Sequence, residues 1–145
     1  PATAAILSRY FKRLPEGEAR EEFERLKKVY PTFGKLRVAF ALIEPDRHKA
    51  GALLNEALEL DPDDAHAIYL IGNELLRQKK DAEAYALIRQ SYDMGCRLPE
   101  MYLALAKLEM EFGGGAKAVR DLRRNARKLF KHLPEFQKQI AAAKG

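Results

Sequence analysis

The strongest constraint on this 145-residue chain is a self-similarity at 34-residue spacing. Ala50, Ala84 and Ala118 form one row, and Leu54, Ile88 and Leu122 a second. Leu42, Leu76 and Met110 form a third, and Val38, Gly72 and Ala106 a fourth. Rows of matching character at one fixed period mean that the chain repeats a supersecondary unit. A unit of 34 residues holds two short helices and their turns. Neighbouring hairpins of that kind stack and bury a continuous core.

The local pattern agrees. Pro15, Pro31, Pro45, Pro62, Pro99 and Pro134 all fall between apolar-periodic stretches. Proline clashes inside a helix but is tolerated in its first turn or beyond its end. Two further breaks carry no proline, QKKD at 78–81 and FGGGA at 112–116. Between breaks, apolar residues recur three and four apart, as in Phe23, Leu26 and Tyr30, or Ile68, Ile71, Leu75 and Leu76. No strand-like alternation is sustained. About nine helices are predicted, joined by short turns and so mostly antiparallel to their neighbours. Acids near predicted N-termini, in Asp61-Pro62-Asp63-Asp64, at Asp81 and in Pro99-Glu100, complement the helix dipole.

Gly72 stands inside one of these helices, where glycine costs roughly 1 kcal/mol against alanine. A close helix crossing compensates for such a loss. Gly72 and Ala84 lie on facing helices of one hairpin, and small residues there let the axes approach towards ~8 Å.

Residues 65–98 resemble the tetratricopeptide repeat family. Ile68, Ile71, Gly72 and Leu75 match the first helix of its motif, and Ala84, Ile88 and Ser91 the second. The preceding ALLNEALELDPDD matches through Ala50, Leu54, Ala57 and Pro62. Tyr102, Leu105, Ala106, Ala118 and Leu122 extend the likeness, and Ala19, Phe23 and Pro31 match a second helix one residue out of register. Val38 in place of glycine, Asn125 at a usually small position and Glu109 at a usually apolar one depart from it. The resemblance implies an all-α, right-handed helical-hairpin solenoid in a single domain, residues 1–145. Its repeats are expected at about 2–31, 32–64, 65–98 and 99–131, with a capping helix at 134–143 bearing Phe136 and Ile140.

The same resemblance implies a concave groove lined by the first helices of the units. Projected onto this chain, the groove residues are Lys35, His66, Tyr69, Asn73, Arg77, Leu103 and Lys107, with Thr32, Ala39, Leu42, Glu100 and Met110 beside them. Apolar surface interleaved with donors suits an extended peptide or a partner helix, with Tyr69 as anchor and Asn73 bonding main chain. One subset of the family clamps the C-terminal carboxylate of chaperone peptides. Here Tyr69, Glu100 and Ala104 stand where its basic residues belong, which argues against that clamp.

Charge marks a second surface. Residues 113–145 hold nine Lys/Arg against two Asp/Glu, a balance of +7, whereas residues 1–112 balance at −2. Lys117, Arg120, Arg124, Arg127 and Lys131 make a stripe on a helix predicted at 116–132. Such a stripe suits an acidic protein, an acidic surface or nucleic acid. With Phe130 as its one aromatic, it offers little platform for base stacking. A third alternative is self-assembly through Tyr102, Phe112 or a Tyr10-Phe11 edge.

Little points to catalysis. His48, His66 and His132 are scattered, and no nucleophile–base pair is legible. GGG at 113–115 lacks the Lys-Ser/Thr of a phosphate loop and reads as a turn between hairpin helices. Cys96 is the only cysteine, which rules out an intramolecular disulfide and reads as an inert thiol. No enzymatic activity, cofactor, metal or small-molecule substrate is expected. No apolar run approaches the ~20 residues of a bilayer span. No signal-peptide pattern is legible, and the start at Pro1 leaves a trimmed or processed chain open. The compartment is not fixed, with the cytoplasm favoured.

Overall fold

Proline and a few side-chain caps decide where the helices of this chain begin. In the computed structural model, which describes residues 2–142, every regular element among the described residues is an α-helix. In chain order they are α1 (Ala2–Arg13), α2 (Glu16–Val29), α3 (Gly34–Ala41), α4 (Arg47–Leu60), α5 (Ala65–Arg77), α6 (Asp81–Asp93), α7 (Pro99–Phe112), α8 (Gly115–Leu129) and α9 (Pro134–Ala142). The chain is therefore all-α, as its periodicity predicts. Ala143, the last residue of the predicted capping helix, lies outside the described residues, as do Pro1, Lys144 and Gly145.

Pro15 sits just ahead of α2, and Pro99 and Pro134 open α7 and α9. Asp46 caps α4, its carboxylate accepting from the backbone N–H of His48 at 2.9 Å and of Lys49 at 3.3 Å. The bond from Lys49 N–H and then that from His48 N–H outweigh burial, which acts the other way, and hold its carboxyl below the usual aspartate value. Asp64 accepts from Ala67 N–H at 3.2 Å and so caps α5. The QKKD break is made without glycine. Lys79 takes a left-handed φ of 62°, and Lys80 N–H returns to the Leu75 carbonyl at 2.9 Å.

The chain divides into two compact units between Ile71 and Gly72, within α5. In the first, α3 packs on α4 and α1, and α2 packs on α1 and α3. Ala4, Val38, Ala41, Ala50, Leu54, Ala57 and Ala67 form one part of its core. Phe11, Phe23 and Phe40 centre the other, with Phe23 and Phe40 stacked at 4.4 Å. In the second unit α7 packs on α6 and α8, and α9 lies against both α7 and α8. Phe136 and Ile140 of α9 are buried. Phe130 meets Tyr102 and Phe136 edge-on at 5.5 and 5.1 Å.

The rows at 34-residue spacing recur in burial. Leu54, Ile88 and Leu122 are buried, and so are Val38, Gly72 and Ala106. Ala50 and Ala84 are buried, while Ala118 is half-buried in the first turns of α8, beside an open cleft. Leu42 and Met110 are exposed and Leu76 is half-buried.

Gly72 makes the close crossing that its position suggests. A Cβ there would lie 2.7 Å from Ile88 Cγ1 and 3.5 Å from the Ala84 carbonyl oxygen. Ile88 is fully buried and has nowhere to retreat. In the preceding hairpin Val38 fills the matching row, and the tight approach moves one turn earlier. A Cβ on Gly34 would stand 3.2 Å from the Ala57 carbonyl oxygen.

Candidate functional site

The residues projected onto a groove fall into both units. In the first unit Lys35 and His66 come together at Asp64, one of the acids expected near a helix N-terminus. Lys35 Nζ meets Asp64 Oδ2 at 2.8 Å, and Asp64 is almost wholly buried. One carboxylate therefore caps α5 and ties it to α3. His66 is half-buried beside this pair. Burial holds its imidazole below the ordinary value of 6.5; Asp64 pulls the other way and Lys35 reinforces the drop. Tyr69 departs from expectation: it is buried rather than presented as an anchor, and so is Ala39. The reason is legible in α5, where residues 67–71 are apolar without a break. A helix segment apolar all round is driven under cover on more than one side, and here Ala67, Ile68 and Tyr69 are buried and Leu70 and Ile71 half-buried.

In the second unit Asn73 and Leu103 are half-buried, and Arg77 and Lys107 are exposed. Arg77 Nη1 is held by Glu74 Oε1 one turn back, at 2.6 Å. Tyr102 and Phe11, considered above as surface for self-assembly, belong to the two cores, whereas Tyr10 and Phe112 remain partly exposed.

The basic stripe is the most coherent of the expected surfaces. Lys117, Arg120, Arg124 and Arg127 lie on α8, and all are exposed. Lys131 is exposed too, but it stands beyond the helix, which ends at Leu129 rather than reaching 132. Buried Phe130 ends it by turning the chain towards α9, with Leu133 N–H bonded to the Phe130 carbonyl at 3.0 Å. Arg124 meets Asp121 at 3.5 Å, and no ion pair holds the other four among the described residues.

The second unit also holds a cleft that no sequence motif announces. A hollow of about 590 Å³ is lined by Tyr85, Arg89 and Tyr92 of α6, Glu109 of α7, and Asp121 and Asn125 of α8. Glu109 is 2% exposed. Its Oε2 accepts from Gly114 N–H at 3.3 Å and lies 3.7 Å from Arg89 Nη1, beyond hydrogen-bond range. No donor reaches Oε1 in hydrogen-bonding geometry. The Tyr85 hydroxyl lies beside the carboxylate, and this polar contact, ahead of burial, raises the phenol above its usual pKa. Asn125 Nδ2 donates to the Tyr92 hydroxyl at 2.6 Å, which gives this departure from the repeat pattern a task.

Gly113 and Gly114 are part of the same construction. A Cβ on Gly113 would collide with the Tyr85 hydroxyl and stand 2.7 Å from Glu109 Oε1. A Cβ on Gly114 would stand 2.9 Å from that of Ala118. The glycine run thus leaves room for Tyr85 and Glu109 as well as turning the chain. The one signal in the sequence was Glu109 itself, a carboxylate at a usually apolar position one helical turn before three glycines.

Among the described residues no cluster of three His, Cys, Asp or Glu side chains forms a metal cage, and no helix is long and apolar enough to cross a membrane. Neither protein-family models nor curated proteins match the chain.

Proposed function

We propose that this chain is a non-catalytic interaction scaffold built from tetratricopeptide-like hairpins, and that the first helices of its hairpins hold a peptide segment or a partner helix. The supporting observation is that rows spaced 34 residues apart are buried alike, Val38 with Gly72 and Ala106, and Leu54 with Ile88 and Leu122. A chain that repeats its packing positions also repeats its outward ones, and these recur as a binding surface. In the second unit that surface is Asn73, Arg77, Leu103 and Lys107, which keep polar ends in reach of a partner's main chain. Tyr69 is left out because it is buried.

A second reading has its own support, the exposed cations of α8. Lys117, Arg120 and Arg127 carry no intramolecular ion pair among the described residues, so an acidic partner meets no competitor there. Peptides selected on the immobilised chain and titrated against variants separate the two. The scaffold reading expects Asn73→Ala with Lys107→Ala to weaken the selected peptide about tenfold. It expects Arg120→Glu with Arg127→Glu to leave affinity unchanged. The reverse pattern, with affinity falling steeply as salt rises, would establish the basic stripe instead.

A further inference from the structure

We propose that the cleft between α6 and α8 binds an organic cation, an ammonium or guanidinium group, on the carboxylate of Glu109. The site shares no residue with the surface proposed above and stands independently of it. A carboxylate this deeply buried carries a large desolvation cost unless it is paired and hydrogen-bonded. Glu109 lines a cleft large enough for a small organic group, and its Oε1, sealed from solvent beside the Tyr85 hydroxyl, makes no well-formed hydrogen bond. Among the described residues no cation meets this carboxylate at hydrogen-bond distance.

Arg89 indicates which kind. Its guanidinium stands over the Tyr92 ring at 5.2 Å, between Asp93 at 3.5 Å and Glu109 at 3.7 Å. Carboxylate and aromatic face together are the chemistry of cation recognition. Arg89 satisfies neither acid well, because both distances exceed those of charge-assisted hydrogen bonds. Its side chain is 39% exposed, so it can leave for water. With Arg89 in place the charged lining balances, Arg89 and Arg124 against Glu109 and Asp121. With Arg89 swung out, two carboxylates face one guanidinium. Arg124 is two-thirds exposed and lies against Asp121 at the rim. The incoming cation then takes the place of Arg89, nearer to Glu109 and beside Tyr85.

The same group is offered by a basic side chain of a partner and by a free alkylamine. Calorimetric titration of the whole chain with N-acetyl-lysine methylamide and with 1,5-diaminopentane distinguishes them. Binding of either supports the site, and preference for the first points to a partner's side chain. The neutral analogue N-acetyl-norleucine methylamide is expected not to bind. Glu109→Gln is expected to weaken binding about tenfold or more. Arg89→Ala is expected to tighten it several-fold by removing the resident competitor. Absence of binding by both amines, equal binding of the neutral analogue, or unchanged affinity in Glu109→Gln would overturn the proposal. Should Glu109→Gln unfold, Arg89→Ala decides alone, and weaker binding there would overturn it.

Discussion

Each unit buries a glutamate next to an arginine that lies over an aromatic ring, and the two pairs are finished to different degrees. In the first unit Glu44 is 4% exposed. Arg20 Nη2 reaches its Oε2 at 2.7 Å, Asp46 N–H reaches its Oε1 at 3.3 Å, and the guanidinium stands 5.4 Å over the Phe40 ring. In the second unit Glu109 is as deeply buried, but its arginine stays at 3.7 Å and one oxygen lacks a bond. The desolvation cost of a buried carboxylate is similar in both places; only at Glu44 do partners offset it. A completed pair fastens structure, in this instance α2 to the segment after α3. An incomplete one leaves interaction energy for something else to collect.

The contrast can be tested through the glycines first, where the largest effect is expected. Gly72→Leu should destabilise by roughly 1–3 kcal/mol or more, because buried Ile88 cannot clear the crossing. A denaturant melt that matched the parent would refute that crossing. Gly51, by contrast, has nothing within 4 Å of a Cβ position. Gly51→Ala, inside α4, should therefore stabilise by about 0.5–1 kcal/mol through helix propensity and a less free unfolded chain.

The two glutamates come next. Glu44→Gln should cost about 1 kcal/mol, a modest figure because Arg20 is half in water. Glu109→Gln should be neutral or slightly stabilising without ligand, since it removes a buried charge whose partners are incomplete. Equal losses in urea unfolding of the two variants would erase the distinction between them.

The smallest effect concerns His66. Its imidazole is held below 6.5 in the folded chain, chiefly by burial, so the unfolded chain takes up the proton first. Its contribution to stability is thus full above that pH and declines as pH falls through 6.5 towards the lowered folded value. Melting temperature followed downward from neutral pH should show a shallower decline in His66→Gln. Parallel curves would mean that the Lys35–Asp64 pair accommodates the charged ring.

Much of this was legible in the residues. Proline positions, caps and apolar spacing determined helices and turns, because those effects act within a few residues of their cause. Two of the 34-residue rows, Val38 with Gly72 and Ala106 and Leu54 with Ile88 and Leu122, marked buried positions, because a repeated unit repeats its packing, whereas the row of Leu42, Leu76 and Met110 did not. Gly72 was legible as a crossing for the same reason. The burial of Tyr69 was legible only in the unbroken apolar run 67–71, whereas the repeat pattern placed it on an open face. The meeting of Lys35 and His66 at Asp64, and of Arg89, Tyr85 and Glu109 around a cleft, depends on residues brought together from different helices. Only the tertiary structure decides such encounters, since the balance between desolvation and partnering at a buried charge is set by neighbours distant in the chain.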